Sequence, residues 1–529
     1  MKKLLLGIFS AVAFICDVWA AEDVKFIEIG WDFLTSDSMV KNIAEVENSP
    51  MDGAGIQMIG VNEKNESYYL TWIHSNTFKP FNHFTGSIDK LQALKSPKVA
   101  NSFVQVGINP GKIDIFDDAA WENVVQNYRT AARVAKAAGM RGIMLDPEAY
   151  VAGANQFGYS HQPEKAKHSY AEYLVKTRQR GKAVMAAIAT EYPDMDLLIL
   201  YMYCYNYREH RPGAESRNTL NSFTAAFFDG MIEAAPAAMN IFDGQESSYV
   251  FNGFMDFAYG KVISSQGVLP YVAPDVRDKY RAMVKYAPAI YLDRYLPADQ
   301  FSSPIDLRGM KPAVRLLVNL MAARRVSDGY IWVYNERYRW WPTHVKSVQR
   351  QYWHEVIPGC DTAFNIARNP ETFAHELLRS GKMEQSENLI ADWKKFTGYH
   401  SPSWQDVKVV STDDSGILIR KAWGKAGAKY TIAANPGDVF FVSASAIVQG
   451  IGYPAIRVVY KRGQHPLTAF SDADDFVTRV INGKLATMVV VPDDADSVEI
   501  IFSGEAQDIN SNTGIISFRN MQIKRFTLQ

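Results

Sequence analysis

Cysteine is nearly missing from this chain, with three in 529 residues. Cys16 falls in the leading apolar stretch, which leaves Cys204 and Cys360. Two cysteines so far apart make neither a disulfide framework nor a zinc-type spacing. Two buried thiols are expected, with a single bridge as the alternative. Charge of one sign is missing too. Lys and Arg total 56 against 57 Asp and Glu, a net charge of −1, so no bulk field draws the chain to nucleic acid or to an anionic membrane. Beyond the first twenty residues no apolar run reaches membrane-spanning length without charges. The ten histidines are scattered with no His-x-x-x-His pair, which disfavours a catalytic metal. No Gly-x-Ser-x-Gly motif suggests a serine hydrolase. Internal repeats, low-complexity tracts and a long flexible linker are also lacking.

Apolar and aromatic residues are plentiful. The chain is 47% hydrophobic and 12% aromatic, enough for two or three packed domains. Residues 1–20 read as a secretory signal, from which a secreted or periplasmic location is expected. Lys2 and Lys3 form its charged start, Leu4 to Cys16 a short apolar core, and Val18-Trp19-Ala20 the cleavage region. An uncleaved anchor is the alternative.

From residue 26 to about 340, strand-like runs alternate with helix-like segments. The strands are expected at Phe26–Trp31, Gly55–Gly60, Phe103–Ile108, Gly142–Leu145, Leu197–Tyr203, Ala238–Phe242, Ala289–Leu292 and Gly329–Tyr334. Trp121–Ala138, Tyr170–Tyr192 and Met310–Val326 have helical spacing. Eight such units suit an α/β fold of the (β/α)8 TIM-barrel type. An open doubly wound sheet is disfavoured, because no Gly-rich phosphate loop follows the first strand. The expected organisation is a signal at 1–20, a barrel over 21–345, a helical completion or connector over 346–404, and a β-sandwich of jelly-roll type over 405–529. In this last part short alternating runs are separated by turn residues.

The densest chemical signal is Arg141-Gly142-Ile143-Met144-Leu145-Asp146-Pro147-Glu148-Ala149-Tyr150. A strand-like run ends in two carboxylates one residue apart, and positions i and i+2 of an extended segment share a face. Pro147 keeps Asp146 out of the helical region. The bland alternative is a helix cap, since Asp followed by Pro also starts helices. Other expected strand ends repeat the pattern. Trp31-Asp32 closes the first, Tyr201, Tyr203, Tyr205 and Asn206 the fifth, Asp243-Gly244-Gln245-Glu246 the sixth, Asp293-Arg294-Tyr295 the seventh, and Trp332, Tyr334, Asn335 and Glu336 the eighth. Barrel enzymes place their chemistry at strand carboxyl ends, and paired carboxylates are what glycoside hydrolysis requires.

On these residues the chain resembles secreted barrel glycoside hydrolases with an appended jelly-roll sandwich. Asp146-Pro147-Glu148 is similar to the Asp-x-Glu ending of the fourth strand in chitinase-type and muramidase-type barrels, and Tyr201-Met202-Tyr203 and Trp332 resemble chitinase-type strand ends. The resemblance implies that Glu148 is the proton donor and Asp146 its helper. Other barrel glycosidases pair a carboxylate on the fourth strand with one on the sixth or seventh. The runs from Asp496 to Gly504 and from Ile516 to Ile523 resemble closing strands of jelly-roll carbohydrate-binding modules.

A glycosidase acting on poly- or oligosaccharide, with retention of configuration, is therefore expected. Glu148, Asp146 and Glu246 are its expected catalytic residues, with Asp293, or the substrate itself helped by Asp146, as the alternative nucleophile. Trp31, Asp32, Tyr203, Tyr205, Asp243, Asp293, Trp332 and Glu336 are the expected substrate contacts. No cofactor, metal, nucleic acid or membrane span is expected, and carbohydrate is the expected partner. Three features keep a solvated-surface or structural alternative: Glu246 follows an Asp-Gly turn, Asp293 stands beside Arg294 as an ion-pair candidate, and the run Trp332–Trp341 reads equally as a sugar platform or as Arg stems lying on rings. Asp472, Asp474 and Asp475 read as a solvated loop rather than a calcium site. Trp423, Tyr453 and Tyr460 are the sandwich's candidate sugar platforms. A non-catalytic sugar-binding protein on a degenerate barrel, or a polysaccharide lyase, is the alternative function.

Overall fold

The computed structural model describes residues 24–209, 222–380, 394–397, 407–410, 416–420, 424–449, 453–467, 475–477, 480–506 and 515–526. The expected signal at 1–20, together with Trp423, Asp472 and Asp474, lies outside the described residues, and the side chains of Tyr205 and Asp475 are likewise not described.

Eight parallel strands close into a barrel. They are β1 (Lys25–Gly30), β2 (Gly53–Gln57), β3 (Phe103–Pro110), β4 (Gly142–Asp146), β5 (Asp196–Ile199), β6 (Asn240–Asp243), β7 in two halves (Val284–Tyr286 and Ala289–Tyr291) and β8 (Tyr330–Asn335). β7 makes the closure. Its first half pairs with β6, Ile241 opposite Val284, and its second half pairs with β8, Ala289 opposite Trp332. Pro288 interrupts it because proline has no N–H to give the ladder. Backbone bonds bridge the break: Ala287 N–H donates to Asp243 O (2.9 Å) and Trp332 N–H to Pro288 O (3.2 Å). β8 then pairs with β1 along its whole length. All eight expected strands are present, with ends shifted by a few residues.

Side chains leave a strand alternately on its two faces, and the barrel sorts them accordingly. Ile27, Ile29, Phe103, Met144, Leu198, Leu200, Phe242, Ala287, Ala289, Tyr330 and Trp332 form one cluster in the lumen. Their strand neighbours, such as Phe26, Val104, Ile143, Leu145, Ile241 and Ile331, join the larger cluster under the helices. The narrow base of the lumen is plugged by Asp196, which accepts from Arg141 Nε (2.6 Å), Tyr330 Oη (2.6 Å) and Asn240 Nδ2 (2.7 Å).

The outer helices include α1 (Asp118–Ala137), α2 (Tyr170–Glu191), α3 (Thr224–Ala234), α4 (Phe254–Val262), α5 (Pro312–Val326), α6 (Cys360–Arg368) and α7 (Pro370–Ser380). Their starts follow capping chemistry. Asp117 accepts from Ala120 N–H, and Ser169 and Glu172 form a reciprocal capping box. Cys204 and Cys360 are both buried and are not joined in a disulfide. Among the described residues no helix is long and apolar enough to cross a membrane.

Two antiparallel sheets follow. One contains β9 (Lys394–Thr397), β12 (Gly424–Ala433), β14 (Tyr453–Arg462) and β16 (Ser497–Ala506); the other contains β10 (Val407–Val410), β11 (Gly416–Arg420), β13 (Val439–Gln449), β15 (Lys484–Val490) and β17 (Ile515–Phe526). They share a core drawn from both, including Ile419, Val442, Ile456, Leu485, Ile500, Phe502 and Phe518. β9 falls inside the segment expected to be helical. It pairs with β12, Lys394 opposite Lys429, so a sheet partner fixes its conformation. On β16 Val498, Ile500 and Phe502 are fully buried, and Glu499 and Ile501 on the other face are buried too. Lys429 and Lys461 neutralise Glu499 at 3.1 and 2.8 Å.

The sandwich docks on the barrel's helices. Val439 and Phe441 of β13, with Ala486, Met488 and Val490 of β15, belong to the barrel's outer core cluster. Arg325 of α5 lies 4.3 Å from the centroid of the Tyr460 ring, so Tyr460 is buried and is not a sugar platform. Arg315 of α5 pairs with Asp493, both side chains almost wholly buried, and Arg308 reaches the same carboxylate at 3.0 Å. Removing one partner of such a pair leaves an uncompensated charge away from water. Asp493→Ala is expected to cost about 3–5 kcal/mol in stability, read from the midpoint of chemical denaturation. A variant within about 1 kcal/mol of wild type would show the pair to be solvated in solution.

Candidate active site at the carboxyl mouth of the barrel

The lumen face of each strand continues into the mouth. β4 carries Met144 in the lumen, then Asp146 at its end and Glu148 two residues on, both half-buried. No helix starts here, so the cap alternative fails; the next helix of the outer ring, α2, begins only at Tyr170. Asp146 Oδ1 accepts from Glu148 N–H at 2.9 Å and closes an Asx-type turn. Its Oδ2 accepts from Tyr150 Oη at 2.8 Å. Two further bonds hold the loop: Tyr201 Oη donates to Pro147 O (2.9 Å) and Tyr150 N–H to Asn109 Oδ1 (3.0 Å). Tyr150 is 64% exposed.

Burial, with a further push from the charge of Glu148, raises Asp146 to about 7. The proton-holding acid of the pair is thus Asp146, two residues before the one the resemblance nominates. Tyr150 is pushed upward by burial and by both carboxylates, so its hydroxyl stays a donor.

An aromatic box stands opposite. Tyr249 stacks on Tyr334 (centroids 5.3 Å, 18°) and packs against Tyr291 (4.9 Å) and Trp332 (5.2 Å). Burial holds the Tyr249 hydroxyl protonated, helped by the charge of Glu246, which shares its 3-10 segment. Trp31, 41% exposed, donates through Nε1 to Tyr334 Oη at 2.9 Å, and Tyr334 donates to Glu336 Oε1 at 2.9 Å. Asp146, Glu148, Glu246, Glu336 and Trp31 therefore gather at one mouth.

Other expected contacts do not reach it. Asp32 lies on the opposite face of β1's extension and is fully buried. It accepts from Asn335 Nδ2 (2.8 Å) and Trp340 N–H (2.7 Å), and fastens the exit of β1 to that of β8. Burial raises both Asp32 and its neighbour Glu28, and the Asp32 charge pushes Glu28 further. Asp243 likewise points behind β6, where Ser264 Oγ donates to it at 2.9 Å. Tyr203 is buried behind the sheet and donates to Asp229 at 2.9 Å. Trp332 is fully buried and donates to Gly244 O (2.8 Å), so it floors the mouth without lining it.

Asp293 is also buried. It accepts from the backbone N–H groups of Glu336 (2.8 Å) and Arg337 (3.0 Å), and burial lifts it to about 6. That double lock makes it a brace between β7 and β8 and removes it as a nucleophile. Arg294 donates elsewhere, to Ser303 Oγ at 3.2 Å. In the run after Trp332, Arg339 lies 4.8 Å from the Tyr352 ring centroid and Trp340 and Trp341 are buried, so beyond Glu336 the run is packing, not platform. Sequence reasoning missed Tyr249 and Tyr291 as site residues. Tyr291 follows by counting in twos from Ala287 and Ala289, whereas Tyr249 lies in a 3-10 segment that such counting does not reach.

Among the described residues no cluster of three or more His, Cys, Asp or Glu side chains could hold a metal. No family model matches the chain, and no curated protein sequence matches it. Solved structures resemble it weakly. A glycoside hydrolase family 5 enzyme from Prevotella bryantii is 9% identical over 66% of this chain and 98% of its own, with a TM-score of 0.32. A 3-keto-D-glucoside 4-epimerase from E. coli is 11% identical over 65% and 99%, at 0.33. The enzymatically active domain of a bacteriophage CBA120 tailspike protein is 14% identical over 27% of this chain, at 0.17, and the match spans 19% of that protein's length. Similarity this slight carries no argument about chemistry; the residues must.

The raised Asp146 has a measurable consequence. Unfolded, it titrates near the ordinary carboxyl value of about 3.9; folded, it titrates at about 7. Between these values the unfolded chain has released a proton that the folded chain keeps, so this group's contribution to stability falls as pH rises from about 4 to about 7. Asp146→Asn is expected to remove that slope and so gain on wild type between those limits. Parallel urea-midpoint curves for the two proteins would refute it.

Proposed function

We propose that this chain is an exported glycoside hydrolase that cleaves poly- or oligosaccharides at the barrel mouth. The observation that carries the reading is the β4 exit: two carboxyls two residues apart, Tyr150 donating to Asp146 at 2.8 Å, and burial holding the proton on Asp146 up to a pH of about 7. Glycosidic bonds need an acid that is still protonated near neutrality and a second carboxylate.

In the proposed reaction Glu148, the outer acid, protonates the leaving oxygen as its bond to the anomeric carbon breaks. The proton that Glu148 gives is supplied beforehand by Asp146, so Glu148 is left as the carboxylate that takes the proton of the incoming water and hands it back to Asp146. Glu246, from the β6 exit, attacks the anomeric carbon from the other side. Water then displaces it, giving its proton to Glu148. The net course is retention. Tyr249, Tyr334 and Trp31 supply apolar faces with polar tips for sugar rings. Export rests on Lys2, Lys3 and the apolar run after them.

The test is release of reducing ends from a polysaccharide panel. Glu148→Gln and Glu246→Gln are each expected to lose about a hundredfold or more in turnover. In wild type the basic limb of kcat/KM is expected near pH 7, following Asp146, and to move in Tyr150→Phe. Binding with no released ends, indifferent to Glu148→Gln, would favour a non-catalytic sugar-binding protein. Unsaturated products absorbing in the ultraviolet would mark a lyase. Product anomers followed by NMR would decide between retention and inversion.

A further inference from the structure

Between β2 and β3 the chain makes an excursion that the eight-strand plan does not need. Ile59–Val61 pairs with Ser67–Tyr69 as a hairpin, and Trp72–His74 then lies parallel to the carboxyl end of β3, Trp72 beside Gly107 and Ile108. The backbone is well anchored. Met58, Leu70 and Ile73 are fully buried, Thr71 O accepts from Gly107 N–H at 2.8 Å, and Ile59 O accepts from Ser87 Oγ at 2.7 Å.

Two large rings are nevertheless turned outward. Trp72 is 59% exposed and Tyr69 46%. Their centroids stand 6.4 Å apart with planes inclined by 35°. A chain folding only for stability gains nothing by fixing a tryptophan in water, since the same anchors serve beside a small residue. Residues 67–77 contain no Asp, Glu, Lys or Arg, so the surroundings suit a neutral, hydroxyl-rich ligand rather than nucleic acid or an anionic membrane. The placement is informative as well. A Cβ built on Gly107 would lie 3.6 Å from both Thr71 O and Asp146 O. The excursion, β3 and β4 are therefore neighbours at the mouth, and two strand spacings of about 4.8 Å each separate Trp72's strand from that of Asp146.

The geometry points to a second sugar subsite on the Tyr69–Trp72 surface, on the rim of the mouth two strands across from the β4 acids. This rests on the reading of the mouth as a sugar site and narrows its substrate. A ligand spanning both positions is a neutral glycan chain of several units, stacking one ring on Trp72 while another lies over Glu148. A monosaccharide cannot reach both.

The experiment is electrophoresis of the full chain in native gels holding a neutral polysaccharide, hydroxyethyl cellulose, arabinoxylan, galactomannan or dextran, one per gel. Wild type is expected to be retarded in at least one gel, and Glu148→Gln equally so. Trp72→Ala is expected to need about tenfold more polysaccharide for the same retardation, with partial recovery in Trp72→Phe, which keeps a ring. Unchanged melting temperatures show that the variants remain folded. Equal retardation of wild type and Trp72→Ala would overturn the subsite, as would no retardation in any gel. Retardation that depends on Trp72 without any released ends would keep the subsite and discard the hydrolase reading.

Discussion

Successive residues of a strand point to opposite faces, and in a closed barrel those faces have different fates. One faces the lumen and, at the carboxyl end, the mouth. The other faces the helices and is buried wherever it falls. Met144, Asp146 and Glu148 count upward on the first face, as do Trp332, Tyr334 and Glu336, and Ile27, Ile29 and Trp31. Glu28, Asp32, Asp243 and Asn335 fall on the second, and all four are buried in the wall. Closure through the split β7 makes this sorting strict, because it leaves no sheet edge where an outward residue could reach solvent.

Raised carboxyls therefore occur in two settings that titration alone does not separate. Glu28, Asp32 and Asp243 are raised because the wall excludes water from them. Asp146 is raised by burial too, but it opens through Tyr150 onto the mouth. A perturbed acid marks a functional site only when geometry gives it a substrate to face. Asp293 shows the intermediate case. It continues the lumen register of β7, yet a short 3-10 turn over Leu292–Tyr295 carries it back onto two backbone N–H groups of the β8 exit.

The barrel was legible because its strands are apolar runs separated by helical spacing, and eight such runs leave little else to build. The site was half legible. Nearness to a strand end marks Asp146, Glu148 and Glu246 but equally marks Asp32 and Asp243. Counting parity from Ile29 or Phe242 would have divided them. Tyr249 lay hidden in a 3-10 segment with no periodicity of its own. Trp72 lay in an excursion whose short strands pair only with each other or with the carboxyl end of β3, so no local pattern announces them. The helical expectation over β9 fails because a four-residue strand is defined by its partner, β12, and not by its own sequence.

The sandwich is more than an attached weight. Helices of a (β/α)8 barrel run back from the mouth, so the start of α5 lies at the rim. Arg315, one turn into α5, donates both to Asp493 of the sandwich and to Asn252 Oδ1. Arg308 completes the link by donating to Asn252 O at 3.1 Å. Asn252 closes the segment that begins at Glu246 and carries Tyr249. A buried arginine so placed needs the sandwich's carboxylate to be tolerated at all, and it holds the loop that supplies the proposed nucleophile and one wall of the aromatic box. The two modules meet through a charge neither could bury alone, and that shared charge ties the placing of Glu246 and Tyr249 to the docking of the sheets.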